Sequence, residues 1–274
     1  GCRGRGGRSR SGTPADEAGT ATTPRGPVRH GYPPRLCAAE PMADPGIYAV
    51  TEPAAAADWA GYRVPDRYRG ATVGGYDSED TALAPEHTVV GLGRGEGARA
   101  YPLDVLQVHE IVNDSVALDA PARQATDADV SSTAGTAREE VPVTVTFCPL
   151  CRSGLVARRV VDGAATTFEV TGLLWEAPRI RSAVAERAGD VFGAAREGGA
   201  TPDVRNSGNL VMVDRATGSY WSQILAEAIC GPEQGTHLEI VPSTVTTWGA
   251  WRRDNPETDV LLPPPHSGTV APGE

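Results

Sequence analysis

The chain has 274 residues, 40% of them hydrophobic, enough for the core of one main domain, and its 35 acidic and 25 basic residues give a formal charge of -10. Every basic residue is arginine, so lysine chemistry is excluded: no Schiff base, no phosphate-loop lysine, no lysine general base. The acidity argues against binding a nucleic-acid backbone and fits the cell of a halophilic archaeon, where a dense acidic surface stays hydrated although salt screens charge to about 3 Å at 1 M; a GC-rich genome would leave the same bias.

Residues 1–40 are poor in large apolar side chains and rich in Gly, Pro, Ser, Thr and Arg, which predicts a disordered tether. Gly1-Cys2 ahead of that tract reads as the start of a mature lipoprotein, anchored to a membrane through a lipidated Cys2; the other reading is an ordinary cysteine at an arbitrary boundary. No apolar stretch is long enough to span a bilayer. A single globular domain is expected over residues 45–262, followed by a flexible tail at 263–274.

Between about 45 and 85, scattered aromatics and an alanine run suggest an irregular layer or a short helix. His87 to Leu92 is a strand candidate, and Gly95-Glu96-Gly97 turns the chain into Ala98 to Tyr101. Pro102 suits the start of a helix whose apolar face is Leu103, Val105, Leu106, Val108 and Ile111, with Asn113 and Asp114 read as the turn after it. Val141 to Phe147 is the clearest strand and runs straight into Cys148-Pro149-Leu150-Cys151. A strand from Leu155 to Val161, a hairpin turn at Asp162-Gly163 and a strand from Thr166 to Val170 follow. Residues 176–205 carry Arg, Ala and Glu at helical spacing and read as an exposed excursion. Strands are then expected at Asn209 to Asp214, Ser219 to Ile224 and Leu238 to Val241, and a helical turn at Trp248 to Asp254, capped by Thr246 or Thr247 with both tryptophans in the core. The sum is a β-rich α+β domain with a mostly antiparallel sheet and a few short helices.

An ordered run of segments resembles the family catalogued as domain of unknown function 3179. The segments are Gly97-Ala98-Arg99-Ala100-Tyr101-Pro102-Leu103, His109-Glu110-Ile111-Val112-Asn113-Asp114, Val143 through Cys151, Thr171-Gly172-Leu173-Leu174, Asn209 through Arg215, Trp221-Ser222-Gln223, and Thr246-Thr247-Trp248 with Trp251, spanning residues 86–262. This chain departs from the expected pattern in having Arg152 where glycine follows the second cysteine, and in placing about 30 residues between Leu174 and Asn209. The resemblance implies a shared fold and site without supplying a reaction.

Three chemical readings of the Cys148/Cys151 pair stand side by side. As a metal knuckle it supplies two thiolates, completed by His109 and by His237 or Cys230, a set suited to Zn or Cu. As a thiol-redox or nucleophilic site it uses a reactive sulfur, with His109 or Glu110 as a base, although strands rather than a helix follow the pair. As a structural element it forms a Cys148–Cys151 disulfide in a non-catalytic surface or interaction domain. Asp214, Arg215, Trp221, Ser222 and Gln223 are candidates for a pocket that binds a small molecule or a protein partner, or else an ordinary hairpin around a core tryptophan. The location expected is outside the cytoplasm, as a membrane-anchored lipoprotein where Cys2 is lipidated; the alternative is the cytoplasm.

Overall fold

The computed structural model describes residues 34–69, 81–119, 138–175 and 208–269. Over these, the chain begins with α1 (Pro34–Cys37), β1 (Val50–Glu52) and β2 (Ala54–Ala56), then a 3-10 turn at Asp66–Tyr68. It continues through β3 (Thr88–Leu92), β4 (Arg99–Pro102), α2 (Leu103–His109), β5 (Ile111–Asp119) and β6 (Arg138–Cys148). Next come β7 (Ser153–Arg158), β8 (Val160–Val161), β9 (Ala164–Ala165), β10 (Phe168–Trp175), β11 (Asn209–Asp214), β12 (Tyr220–Ser222) and β13 (Glu227–Cys230). β14 (Thr244–Thr247), α3 (Trp248–Asp254), β15 (Asp259–Leu262) and β16 (Gly268–Thr269) complete the chain, a β-rich α+β architecture as its sequence predicts.

Three sheets stack in layers. The central one has the order β16-β1-β5-β6-β7, with β1 and β5 parallel and the rest antiparallel. Alternation along β6 explains its position. Val141, Val143 and Val145 enter the core shared with the sheet β14-β3-β4-β15-β2, while Cys148, on the other face with Thr144 and Thr146, enters the core shared with the sheet β10-β11-β12-β13. A sheet covered on both faces buries residues on both: Thr146 Oγ1 donates to the Leu155 carbonyl at 3.1 Å, while the buried Thr144 hydroxyl has no hydrogen-bond partner among the described residues.

The buried side chain of Asn113 knits two layers together. Its Nδ2 donates to the carbonyls of Val50 (3.3 Å) and Phe168 (2.9 Å), and its Oδ1 accepts the Phe168 N–H at 2.8 Å. Asp114 accepts from Tyr101 Oη (2.8 Å) and from Arg99 (3.2 Å). These two residues therefore belong to β5 and not to a turn: their polarity reflects buried partners supplied by distant strands.

Local chemistry sets the short elements. α2 starts behind Pro102 and stops where Glu110 takes φ 58° and gives its N–H back to Leu106. Asp162 and Gly163, both at positive φ (49° and 76°), make the tight turn of the β8–β9 hairpin. Thr247 caps α3 by accepting the Ala250 N–H, and Trp248 and Trp251 bury one face of that helix, each contributing on the order of 2–3 kcal/mol. Trp251 lies over Gly91, where an added Cβ would come within 2.4 Å of its ring.

Several expectations are corrected. Residues 34–40 are joined to the fold: Cys37 is disulfide-bonded to Cys230, and Tyr220 Oη donates to the Ala39 carbonyl at 2.7 Å. The expected tail contributes β16, paired with β1. Leu238 to Val241 is not a strand but makes a single bridge, Ala157 to Ile240, because its residues run along the edge of β7. Cys2 and the excursion at 176–205 lie outside the described residues.

Candidate functional site

β6 ends on Cys148, the chain turns through Pro149 and Leu150, and β7 returns from Ser153, which pairs with Cys148. Arg152 closes this turn at φ 49°, the left-handed conformation that a glycine would adopt without strain. Arg152 thus keeps the turn and loads it with strain. Arg152→Gly is expected to raise stability by about 1 kcal/mol, read as a higher urea midpoint; an unchanged or lower midpoint would contradict strain at this position.

The two sulfurs occupy unlike environments. Cys148 is buried and Cys151 exposed, and both are free thiols. Burial pushes the Cys148 thiol up to about 11, a hydrogen bond with the Cys151 thiol adds to the rise, and the backbone N–H groups of Cys151 and Leu210, aimed at its sulfur, oppose it. Two layers of the fold meet at Cys151. Asn209, the first residue of β11, donates from Nδ2 to Cys151 Sγ at 3.1 Å, and Ser153 Oγ lies 3.3 Å from the same sulfur.

Behind them stands Gln223, fully buried. Its Oε1 accepts from Asn209 (2.8 Å) and Ser153 Oγ (3.1 Å), and its Nε2 donates to Thr146 Oγ1 and to the Ser153 carbonyl, both at 3.2 Å. The Asn209 Oδ1 accepts the Ile224 N–H at 2.8 Å, which fixes which way the amide faces. With the Ser153 proton given to Gln223, the neutral Cys151 S–H donates to Ser153 Oγ. A negative sulfur keeps the Asn209 N–H, and the Ser153 hydroxyl can rotate toward it, giving two donors to one anion.

The structure gathers only part of the sequence-predicted site. Gln223, expected in a separate pocket, joins the thiols, and so does Asn209, which the sequence placed in a strand, together with Ser153 at the start of β7. His109 is engaged elsewhere. Its Nδ1 donates to the Tyr48 carbonyl at 2.8 Å and its Nε2 accepts from Tyr68 Oη at 2.7 Å, so both ring nitrogens are spent tying the 48–68 segment to α2. Burial lowers its pKa, consistent with a neutral imidazole. Glu110 is buried beside it, and burial alone raises its carboxyl to about 7.

The remaining metal candidates also have other partners. Cys230 is in the disulfide, and the exposed His237 faces Glu227, Nε2 to Oε2 at 3.4 Å. Among the described residues, no group of three or more His, Cys, Asp or Glu side chains could hold a metal ion. The donors that would complete a Zn or Cu set around Cys148 and Cys151 are thus not assembled.

Asp214 and Trp221 organise a hairpin. The Asp214 carboxylate accepts from Trp221 Nε1 (2.9 Å), Thr217 Oγ1 (2.7 Å) and the Ser219 N–H (3.2 Å). Arg215 pairs with Glu169 across strands at 2.8 Å and lines a shallow cavity of ≈ 370 Å³ with Met42. Ser222 is buried next to Trp221 and points to the opposite face of the sheet; its hydroxyl has no hydrogen-bond partner among the described residues.

A family described as a protein of unknown function (DUF3179) matches residues 71–121, 135–180 and 189–269. No curated protein and no solved structure matches the chain. With over half of its length accounted for in three ordered segments, the chain belongs to the DUF3179 family.

Proposed function

We propose that this chain is an exported thiol–disulfide exchange domain in which Cys151 is the reacting sulfur and Cys148 the resolving one. The observation that carries the reading is the pairing, in one tight turn, of an exposed sulfur faced by the Asn209 amide and the Ser153 hydroxyl with a buried sulfur three residues before it. The Cys37–Cys230 disulfide supports an oxidising compartment.

The exchange balances as follows. The Cys151 thiolate attacks one sulfur of a partner disulfide, forming a mixed disulfide and releasing the partner's other sulfur as a thiolate. Cys148 then gives up its proton to solvent and attacks the Cys151 sulfur, releasing the second partner thiolate and closing the Cys148–Cys151 disulfide. The domain dithiol is oxidised by two electrons and the partner disulfide is reduced. Because burial raises the Cys148 thiol to about 11, ionisation of the resolving sulfur does not stabilise the reduced pair.

The test is trapping with glutathione disulfide, followed by mass spectrometry. Cys148→Ser should accumulate a stable mixed disulfide on Cys151, and Cys151→Ser should slow the reaction at least about a hundredfold, because the buried sulfur is out of reach. Equal rates for the two variants would overturn the assignment. Stoichiometric zinc or copper in the reduced protein, lost in Cys148→Ser, would replace it with a metal site, and a pair that resists reduction would make it a structural staple.

A further inference from the structure

We infer that the thiol corner takes its substrate as an extended polypeptide segment with an acidic side chain near its cysteine, laid in the groove between the central sheet and the sheet ending in β14. This rests on the thiol-exchange reading and names the substrate class of that site. The groove has a volume of ≈ 560 Å³ and starts at the turn itself, since Pro149 and Arg152 form part of its wall. Leu103, Phe147, Leu155 of β7 and Val245 of β14 are also among its walls.

Two features fit a polypeptide rather than a small disulfide. First, the groove runs between two strand edges. β14 ends its sheet, paired only with β3 among the described residues, and β7 ends the central sheet. On β7 the backbone bonds from Glu239 and Val241 reach only Arg158 and Val156, so residues 153–155 next to the turn have no strand on their outer side among the described residues. An extended chain placed there gains main-chain hydrogen bonds, and apolar walls take its alternate side chains. Val245 (69% exposed) in the groove wall and Leu150 (60% exposed) in the thiol turn offer apolar contact.

Second, the charge is complementary to one sign. Among the described residues Arg152 is the groove's only charged wall residue and has no ion-pair partner, in a chain whose net charge is -10. A segment with several acidic residues would be repelled by the protein as a whole. One Asp or Glu opposite Arg152, in an otherwise neutral and apolar stretch, gains the local contact. Since Arg152 adjoins Cys151, that contact sets the register that brings a partner cysteine to the sulfur.

The experiment uses the full chain, reduced, and two measurements. Binding is read by fluorescence anisotropy with a labelled apolar synthetic peptide carrying one Asp beside a Ser in place of cysteine, and with its Lys counterpart. Exchange is read with the corresponding cysteine peptides as mixed disulfides and with glutathione disulfide. The Asp peptide is expected to bind and react about tenfold better than the Lys peptide at low salt, the difference shrinking near 1 M salt. Arg152→Glu should reverse the order, and Val245→Asp should weaken both peptides while leaving glutathione disulfide unaffected.

Equal behaviour of the Asp and Lys peptides, or insensitivity to Val245→Asp, overturns the groove assignment. So does self-association lost in Val245→Asp without peptide binding, which gives the groove to a second copy. Peptide binding without any exchange keeps the groove and overturns the thiol chemistry instead, so the two failures are distinct.

Discussion

Replacing Cys37 with serine is expected to lower the unfolding free energy by about 5 kcal/mol, the loop-closure value for a bridge spanning 193 residues. The bond ties α1 across the outer face of the sheet β10-β11-β12-β13, where Val211, Tyr220, Ile229 and Cys230 form a small core with Leu36 packed on it. Without the bond, that cover is held by the Tyr220–Ala39 and Met42–Thr171 hydrogen bonds, and each of these contributes only about 1 kcal/mol. Urea unfolding of the oxidised parent, of Cys37→Ser and of Cys230→Ser gives the answer. The two variants should agree with each other and with the reduced parent, and a loss below about 1 kcal/mol in both would show that the bond constrains little.

Stability should also fall as pH rises from about 4.5 to 7, through Glu110. Its carboxyl, 6% exposed, is raised from 4.5 to about 7 by burial, so the folded state holds its proton more tightly than the unfolded chain does. A group of this kind contributes fully below the unfolded value and loses the contribution as pH climbs through the folded one. The loss is on the order of 3 kcal/mol by pH 8. Glu110→Gln removes the proton from the balance while keeping the shape. The difference between parent and variant stabilities, measured by urea melts at several pH values, should open across this window, with the variant the more stable at pH 8. Parallel curves would show that Glu110 is solvated after all. Cys148 adds a second loss of the same sign at higher pH, between 9 and about 11.

What the sequence reveals depends on how local each cause is. β6 is legible because its valines alternate, the β8–β9 hairpin because Asp162-Gly163 demands positive φ, and α2 and α3 because a proline and a threonine mark their starts. β5 hides because Asn113 and Asp114 look like turn residues until Phe168 and Tyr101 are brought against them from other strands. The Cys37–Cys230 bond is hidden for the same reason, since five cysteines leave the pairing open.

The candidate site divides along the same line. The thiol turn is fully local and stands out at once. Gln223 is 72 positions beyond Cys151 and meets it only because β12 carries it to the end of β6, and Asn209 arrives by the same route on β11. His109 sits close to the cysteines in the motif order, yet two tyrosines claim both of its nitrogens, an outcome that depends on Tyr48 and Tyr68 folding back over α2.

Trp175 and Asn209 are cross-strand partners, so the stretch joining them starts and finishes at two points the sheet already holds together. Polymer statistics make such a connection cheap to lengthen: each doubling costs only about 0.6 kcal/mol. The fold can therefore gain or lose chain here without disturbing its layers, and Asn209, which presents its amide to Cys151, stands at the edge of that stretch. Length added or removed there would fall beside the thiol pair without moving it, much as interchangeable heads fit a common handle.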